Sequence, residues 1–315
     1  MLVSSRISTR DSYGRYLVEL GEQHSNIVVL DADLAFATRT IHFRECFPER
    51  HIDCGIAECN MMGIASGLAS SGLVPFVSTF AMFAAGRAYE QIRNSIVYPN
   101  LNVKICSTHA GISGAEDGAT HQCYEDIALM RSIPGMVVIQ PADDRETKAA
   151  VQAAYEYNGP VYLRLSCMEV PTVTTTLDYV FEIGKGIVLR EGKDVAIITT
   201  GICVSEVLDA ANLLETVGIN ACIININTIK PLDEALILSI AKKTNRLVTV
   251  EDHSIVGGLG SAVAELLSEK YPVPLKRLGI TDSFGESGTE RELLVKYGLD
   301  YLGIYRSVIN FLEKL

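Results

Sequence analysis

Residues 26–33, NIVVLDAD, form a run of apolar residues rich in Val and Ile that closes on two carboxylates. Four further runs of this kind follow: VPFVSTF (74–80), NVKICSTHA (102–110), GMVVIQPAD (135–143) and PVYLRLS (160–166). Near-continuous apolar strands are what a parallel sheet covered on both faces requires, because neither face alternates with water. The chain between them has room for helices or crossovers. DSYGRYLVELGEQH, opening after Thr9, places Tyr13, Tyr16, Leu17 and Leu20 on one helical face, while ECNMMGIASGLASSG is rich in the small residues that permit close packing. Alternating strands and helices predict an α/β fold.

That rhythm breaks in SCMEVPTVTTTLDYVFEIGKG, which has a Pro, a run of Thr and no helical period. It then resumes with DVAIITTG, NACIINI, RLVTVED and PLKRLGI as strands between helical stretches. The sequence therefore predicts a first α/β domain over 1–166, a linker over 167–186 and a second, smaller α/β domain over 187–315. The 315 residues carry a net charge of -11 and no basic run, which argues against binding a nucleic acid backbone. No stretch approaches the roughly 20 apolar residues of a membrane span, and no apolar signal core is visible, so a cytoplasmic protein without membrane contact is expected. The 8 cysteines are scattered without a CxxC pair and read as free thiols.

The loop after NVKIC crowds polar groups at a strand's C-terminal end, where open α/β sheets bind ligands. In THAGISGAEDGATHQCYED, His109, Asp117 and His121 can converge on a polyhydroxylated substrate as donors and acceptors. Their spacing matches no zinc or calcium pattern, so no metal site is expected in them. Glu58, in CGIAECNMMG, stands at the entry to a helix. Two readings remain open for it: a carboxylate stabilised by the helix dipole, or a partly buried carboxyl able to share a proton with a heterocycle nitrogen. Phe80 and Phe83, three apart in STFAMF, can form core or one wall of a flat apolar pocket. Gly257, Gly258 and Gly260 open a helix after RLVTVED, and their N–H groups can hold an anion or serve a tight turn.

Six blocks, DADL, GIAECNMMGIASGLA, STFAMFAAGRAYEQIR, THAGISGAEDGATHQ, EDIALMRSIPGMVVIQPAD and VEDHSIVGGLGSAVAE, give the chain its resemblance to a known family. In order and spacing they resemble the pyrimidine-binding and C-terminal domains of transketolases. The resemblance implies that Glu58 hydrogen-bonds the aminopyrimidine of thiamine diphosphate and favours the tautomer that removes the thiazolium proton. It further implies that Phe80 and Phe83 stack along the pyrimidine and that Asp33 lies beside the cofactor at a subunit interface. His109, Asp117 and His121 would contact the sugar and its phosphate, and Arg164 would clamp that phosphate.

The chain also departs from the family. Ala110 stands where an acidic residue is usual, Ala115 replaces a glycine, and Phe36, Ala37 and Thr38 occupy the place of a phosphate-binding serine. Gly86 takes the position of a third pocket aromatic, with Tyr89 a candidate substitute. The chain contains no GDG, the motif with which full-length members hold Mg²⁺ against the cofactor's diphosphate. An N-terminal-section transketolase subunit is therefore expected to supply the diphosphate and Mg²⁺ ligands, in a heterotetramer of two copies of each chain. The implied reaction moves a two-carbon ketol unit from a ketose phosphate to an aldose phosphate. Two other readings are the beta subunit of a 2-oxo acid dehydrogenase, against which the double-His loop argues, and a non-catalytic binding subunit.

Overall fold

A computed structural model describes residues 6–174 and 180–315. The apolar runs become strands of a seven-stranded sheet, in the order Thr228–Lys230, Val137–Ile139, Val161–Arg164, Lys104–Thr108, Val74–Phe80, Ile27–Asp31 and His51–Asp53. Six of these strands are parallel, and the edge strand Thr228–Lys230 pairs antiparallel with Val137–Ile139. A second sheet orders Leu275–Ile280, Leu247–Ser254, Val195–Thr199, Ala221–Asn225 and Ile187–Arg190, with only the last antiparallel. The chain is α/β with parallel-dominated sheets, as the apolar runs require.

The helix predicted after Thr9 spans Thr9–Gln23, and its cap is Ser8, whose side chain accepts from the Asp11 N–H at 3.0 Å. Tyr13, Leu17 and Leu20 face the core with Phe43, Phe76 and Leu163. On the other side of the sheet, Met61, Met62 and Ala65 of helix Glu58–Ser70 pack with Val77, Ala81 and Ile105. The small-residue composition of that helix lets it lie close to the strands.

Two strand pairings tie the parts of the chain together. Residues read as linker include the strand Glu169–Pro171, which pairs antiparallel with Arg6–Ser8, while linker residues 175–179 lie outside the described residues. Strand Thr228–Lys230, from the second half of the chain, completes the first sheet, so the two halves share a sheet edge. Among the described residues no helix is long and apolar enough to cross a membrane.

Candidate active site

Strand ends bring the candidate residues together, because the parallel strands of the first sheet finish on one edge. Phe80 is the last residue of Val74–Phe80, and the chain turns helical at once, which brings Phe83 back beside it. Their rings stack with centroids 5.6 Å apart at an interplanar angle of 8°. His109, one residue beyond Lys104–Thr108, stacks on Phe80 at 3.7 Å. His121 approaches Phe83 edge-on at 5.5 Å, so the glycine-rich loop closes over the two phenylalanines. Its Nδ1 lies 2.9 Å from the Thr120 hydroxyl.

Glu58 is the first residue of its helix and is 2% exposed. Both of its carboxylate oxygens accept from Arg87 Nη1 at 3.0 Å, and the Arg87 guanidinium also lies 4.8 Å from the Phe83 ring centroid. Carboxylate, guanidinium and aromatic wall therefore form one continuous surface. Asp33 is exposed at the neighbouring strand end, held in a left-handed conformation (φ 61°) by its N–H bond to Asp53 Oδ1 at 3.0 Å. Tyr89 does not join the aromatic wall. Its hydroxyl lies 3.1 Å from Ser132 Oγ and its ring packs against the first core, so it does not replace the aromatic absent at Gly86.

A cavity of ≈ 470 Å³ beside the wall is lined by Arg10, His109, Asp117, Cys167 and Glu290. Arg10 Nη1 lies 3.4 Å from His109 Nε2, and Thr108 Oγ1 lies 2.9 Å from Nδ1. A guanidinium can only donate, so Nε2 accepts and the ring proton sits on Nδ1, facing the threonine oxygen. Burial, with the charge of Arg10 beside it, pushes the imidazole down to about 3. His109 is thus a neutral hydrogen-bonding group and brings no positive charge to a phosphate.

That depressed value has a thermodynamic consequence. An exposed His takes its proton near about 6.5, so the unfolded chain binds a proton that the folded chain refuses between there and about 3. The stability contributed is complete above about 6.5 and is lost as pH falls through this window. His253, which burial pushes down to about 4, adds to the same trend. Melting temperatures at pH 7.5 and 5 should therefore drop further for the wild type than for His109→Asn. Equal drops would show that His109 titrates normally.

Arg164 is corrected. Its side chain is 1% exposed and its donors are committed: Nε to Asp126 Oδ2 at 2.8 Å, Nη1 to Asp252 Oδ1 at 2.8 Å and Nη2 to the Asp252 carbonyl at 3.2 Å. It joins the two sheets and cannot also clamp a substrate phosphate. The N–H groups of Leu259 and Gly260, in the glycine segment, donate to the Glu251 carboxylate at 2.7 and 2.8 Å, so that helix start is filled from within the chain. Sequence reasoning missed Arg10, Arg87 and Glu290. Arg10 meets His109 across 99 positions and Arg87 meets Glu58 across 29, and no local pattern marks either pair.

Among the described residues no group of three or more His, Cys, Asp or Glu could hold a metal ion. The residues fit one half of the implied cofactor: a flat aromatic wall beside a buried carboxylate suits an aminopyrimidine.

The family models for the transketolase pyrimidine binding domain and the transketolase C-terminal domain match residues 5–172 and 184–304. The chain is 50% identical over 307 residues to a Methanocaldococcus jannaschii protein provisionally called a transketolase C-terminal section, covering 97% of this chain and 96% of that one. It is 43% identical over 305 residues, 97% of this chain and 94% of the other, to the 6-deoxy-6-sulfo-D-fructose transketolase subunit SqwH of Clostridium sp. strain MSTE9. A solved structure described as a split gene transketolase, inactive beta4 tetramer, superposes with a TM-score of 0.89 at 49% identity, over 98% of this chain and 99% of that one.

Proposed function

Since the chain belongs to the transketolase family, we propose that it is one subunit of a thiamine-diphosphate-dependent enzyme that transfers a two-carbon ketol unit from a ketose phosphate to an aldose phosphate. The observation that carries this reading is the stacked Phe80–Phe83 wall, with the buried Glu58 carboxylate at one side and His109 and His121 closing the other. When bound, the cofactor would supply the carbon nucleophile that the polypeptide lacks. Phe80 and Phe83 would hold its pyrimidine, and Glu58, released from Arg87, would share a proton with the ring nitrogen. Asp33 would lie beside the cofactor at the subunit interface.

The substrate's sugar would occupy the cavity beside His109. The neutral imidazole orients hydroxyls, while Asp117 and His121 accept and return protons along the sugar. Arg10 takes the phosphate role first expected of Arg164, because it is the guanidinium on this cavity's wall. The sulfosugar named for the Clostridium relative is consistent with a cavity that reads an anionic terminal group.

An N-terminal-section subunit would supply the Mg²⁺ and diphosphate ligands, in an assembly of two copies of each chain. Support comes from the Methanocaldococcus relative, named as a C-terminal section and matched over 96% of its length, and from the inactive state named for the beta4 tetramer. The test is calorimetry with thiamine diphosphate and a coupled ketol-transfer assay on the pure chain, repeated with the partner and Mg²⁺ present. Neither tight binding nor turnover is expected before the partner is added. Robust turnover by the pure chain would refute the split assembly.

A further inference from the structure

The loop that carries His109, Asp117 and His121 is held from two sides by the domain that follows it in sequence. Below the loop, Gly111 sits at φ 60° and donates its N–H to the Cys123 carbonyl at 2.9 Å. A methyl group there would collide with the Asp252 carboxylate and backbone and lie 2.8 Å from Arg164 Nη2. Asp252 belongs to strand Leu247–Ser254 of the second sheet, and Gln140 Nε2 as well as Arg164 donates to its Oδ1. The second sheet thus presents the Asp252 carboxylate, held by Arg164 and Gln140, to a loop residue that has no side chain. Two residues on, the Ser254 N–H donates to the Tyr124 carbonyl at 2.7 Å and pins the loop's exit.

Above the loop runs the segment Asp282–Thr289. Gln122 Nε2 donates to the Glu286 carbonyl at 2.9 Å and to the Ala115 carbonyl at 3.3 Å, so one side chain bonds strap and loop together. The Gly288 N–H donates to the same Ala115 carbonyl at 3.2 Å. Gly285 lies so close to Gln122 that any side chain would strike its amide, and a methyl group on Gly118 would come 2.6 Å from Ser287 Oγ. These glycines leave room for the Gln122 and Ser287 side chains between loop and strap, which a side chain of their own would fill.

We propose that Asp252 and the strap Asp282–Thr289 are positioning elements for the substrate loop, and that this is a working role of the C-terminal domain in catalysis. They add to the loop's own bonds, such as Ala110 N–H to the Leu165 carbonyl, and matter most for its outer part, where Glu116, Asp117, Ala119 and Thr120 are exposed. A loop that shifts by an ångström takes His109, Asp117 and His121 out of register together, which costs rate while leaving Glu58 and its Arg87 partner in place. The proposal rests on reading those three residues as substrate ligands.

The test has one arm that needs no activity. Backbone hydrogen–deuterium exchange over peptide 109–122 is measured in the pure chain for wild type, Asp252→Asn and Gly285→Ala. Gly285→Ala lies in the strap and preserves the charges of Asp252 and Arg164, so it keeps the test usable if Asp252→Asn does not fold. Exchange in the loop should rise about tenfold or more while both sheets stay protected, the signature of local opening. In the assembled enzyme, kcat/KM for sugar phosphates should fall roughly 10- to 10²-fold. Exchange of the cofactor's thiazolium proton, which is assigned to Glu58 on another element, should fall far less than kcat/KM. Loop exchange unchanged in Gly285→Ala, or rising together with the sheets, would overturn the proposal, as would a parallel loss of thiazolium exchange. Loop opening in the variants alongside a wild-type assembly that transfers no ketol unit would instead sink the functional reading and leave the positioning intact.

Discussion

Glu58→Gln is expected to reduce turnover of the assembled enzyme by roughly 10²-fold or more, the usual scale for a positioned proton transfer, while melting behaviour and subunit association are preserved. Gln keeps the volume of Glu and still forms hydrogen bonds, but it cannot pass a carboxyl proton to a ring nitrogen. The structure makes the variant a clean one. Glu58 is buried, yet its ion-pair partner Arg87 has a side chain 53% exposed, so the guanidinium can turn to water when the carboxylate is lost. Exchange of the thiazolium proton in bound thiamine diphosphate should slow in parallel, because that step precedes any sugar. If exchange and turnover both stay near wild type, Glu58 serves only the helix start and Arg87.

Arg164→Ala should be costly in a different currency, stability, by about 3–5 kcal/mol, because it strands buried carboxylates on both sides of a domain contact. Burial alone would lower the pKa of Arg164, but Asp126 and Asp252 raise it above the ordinary arginine value, so the cation is never given up. Asp126 and Asp252 are themselves 0% and 1% exposed at the side chain. Chemical denaturation of the pure chain measures the loss. Arg10→Ala provides the contrast: its side chain is partly open to the cavity, so it should melt near wild type and instead raise KM for phosphorylated substrates about tenfold or more, as loss of a charge-assisted bond predicts. If Arg164→Ala proves as stable as wild type and raises KM only for phosphorylated substrates, the burial argument for Arg164 fails.

The two arginines show where reading the sequence stops. Arg164 ends the apolar strand PVYLRLS at the functional edge of the sheet, and an arginine there looks available to a ligand. Its neighbours in space, Asp126 and Asp252, are 38 and 88 positions away, and only the docking of the second sheet reveals that both already hold it. Arg10 lies in an ordinary helix start and gives no local signal, yet folding carries it to His109. Tyr89 failed as a substitute aromatic for a related reason: spacing along a chain that turns helical after Phe80 fixes direction, and that direction leads toward Ser132 rather than the wall.

By itself the sequence determined the class of fold, five of the seven strands of the first sheet and the family, because apolar runs and capping residues act over a few positions and are written out locally. VPFVSTF is a strand over all seven of its residues, and Glu58 opens its helix where the small-residue pattern begins. The tertiary structure alone decided which charges are free and which are spent. It also decided that Thr228–Lys230 crosses to the first sheet and that the C-terminal domain holds the loop around residues 109–122 from two sides. The physical reason is that an ion pair or a close backbone approach depends on two surfaces meeting, and residues far apart in sequence carry no local record of that meeting.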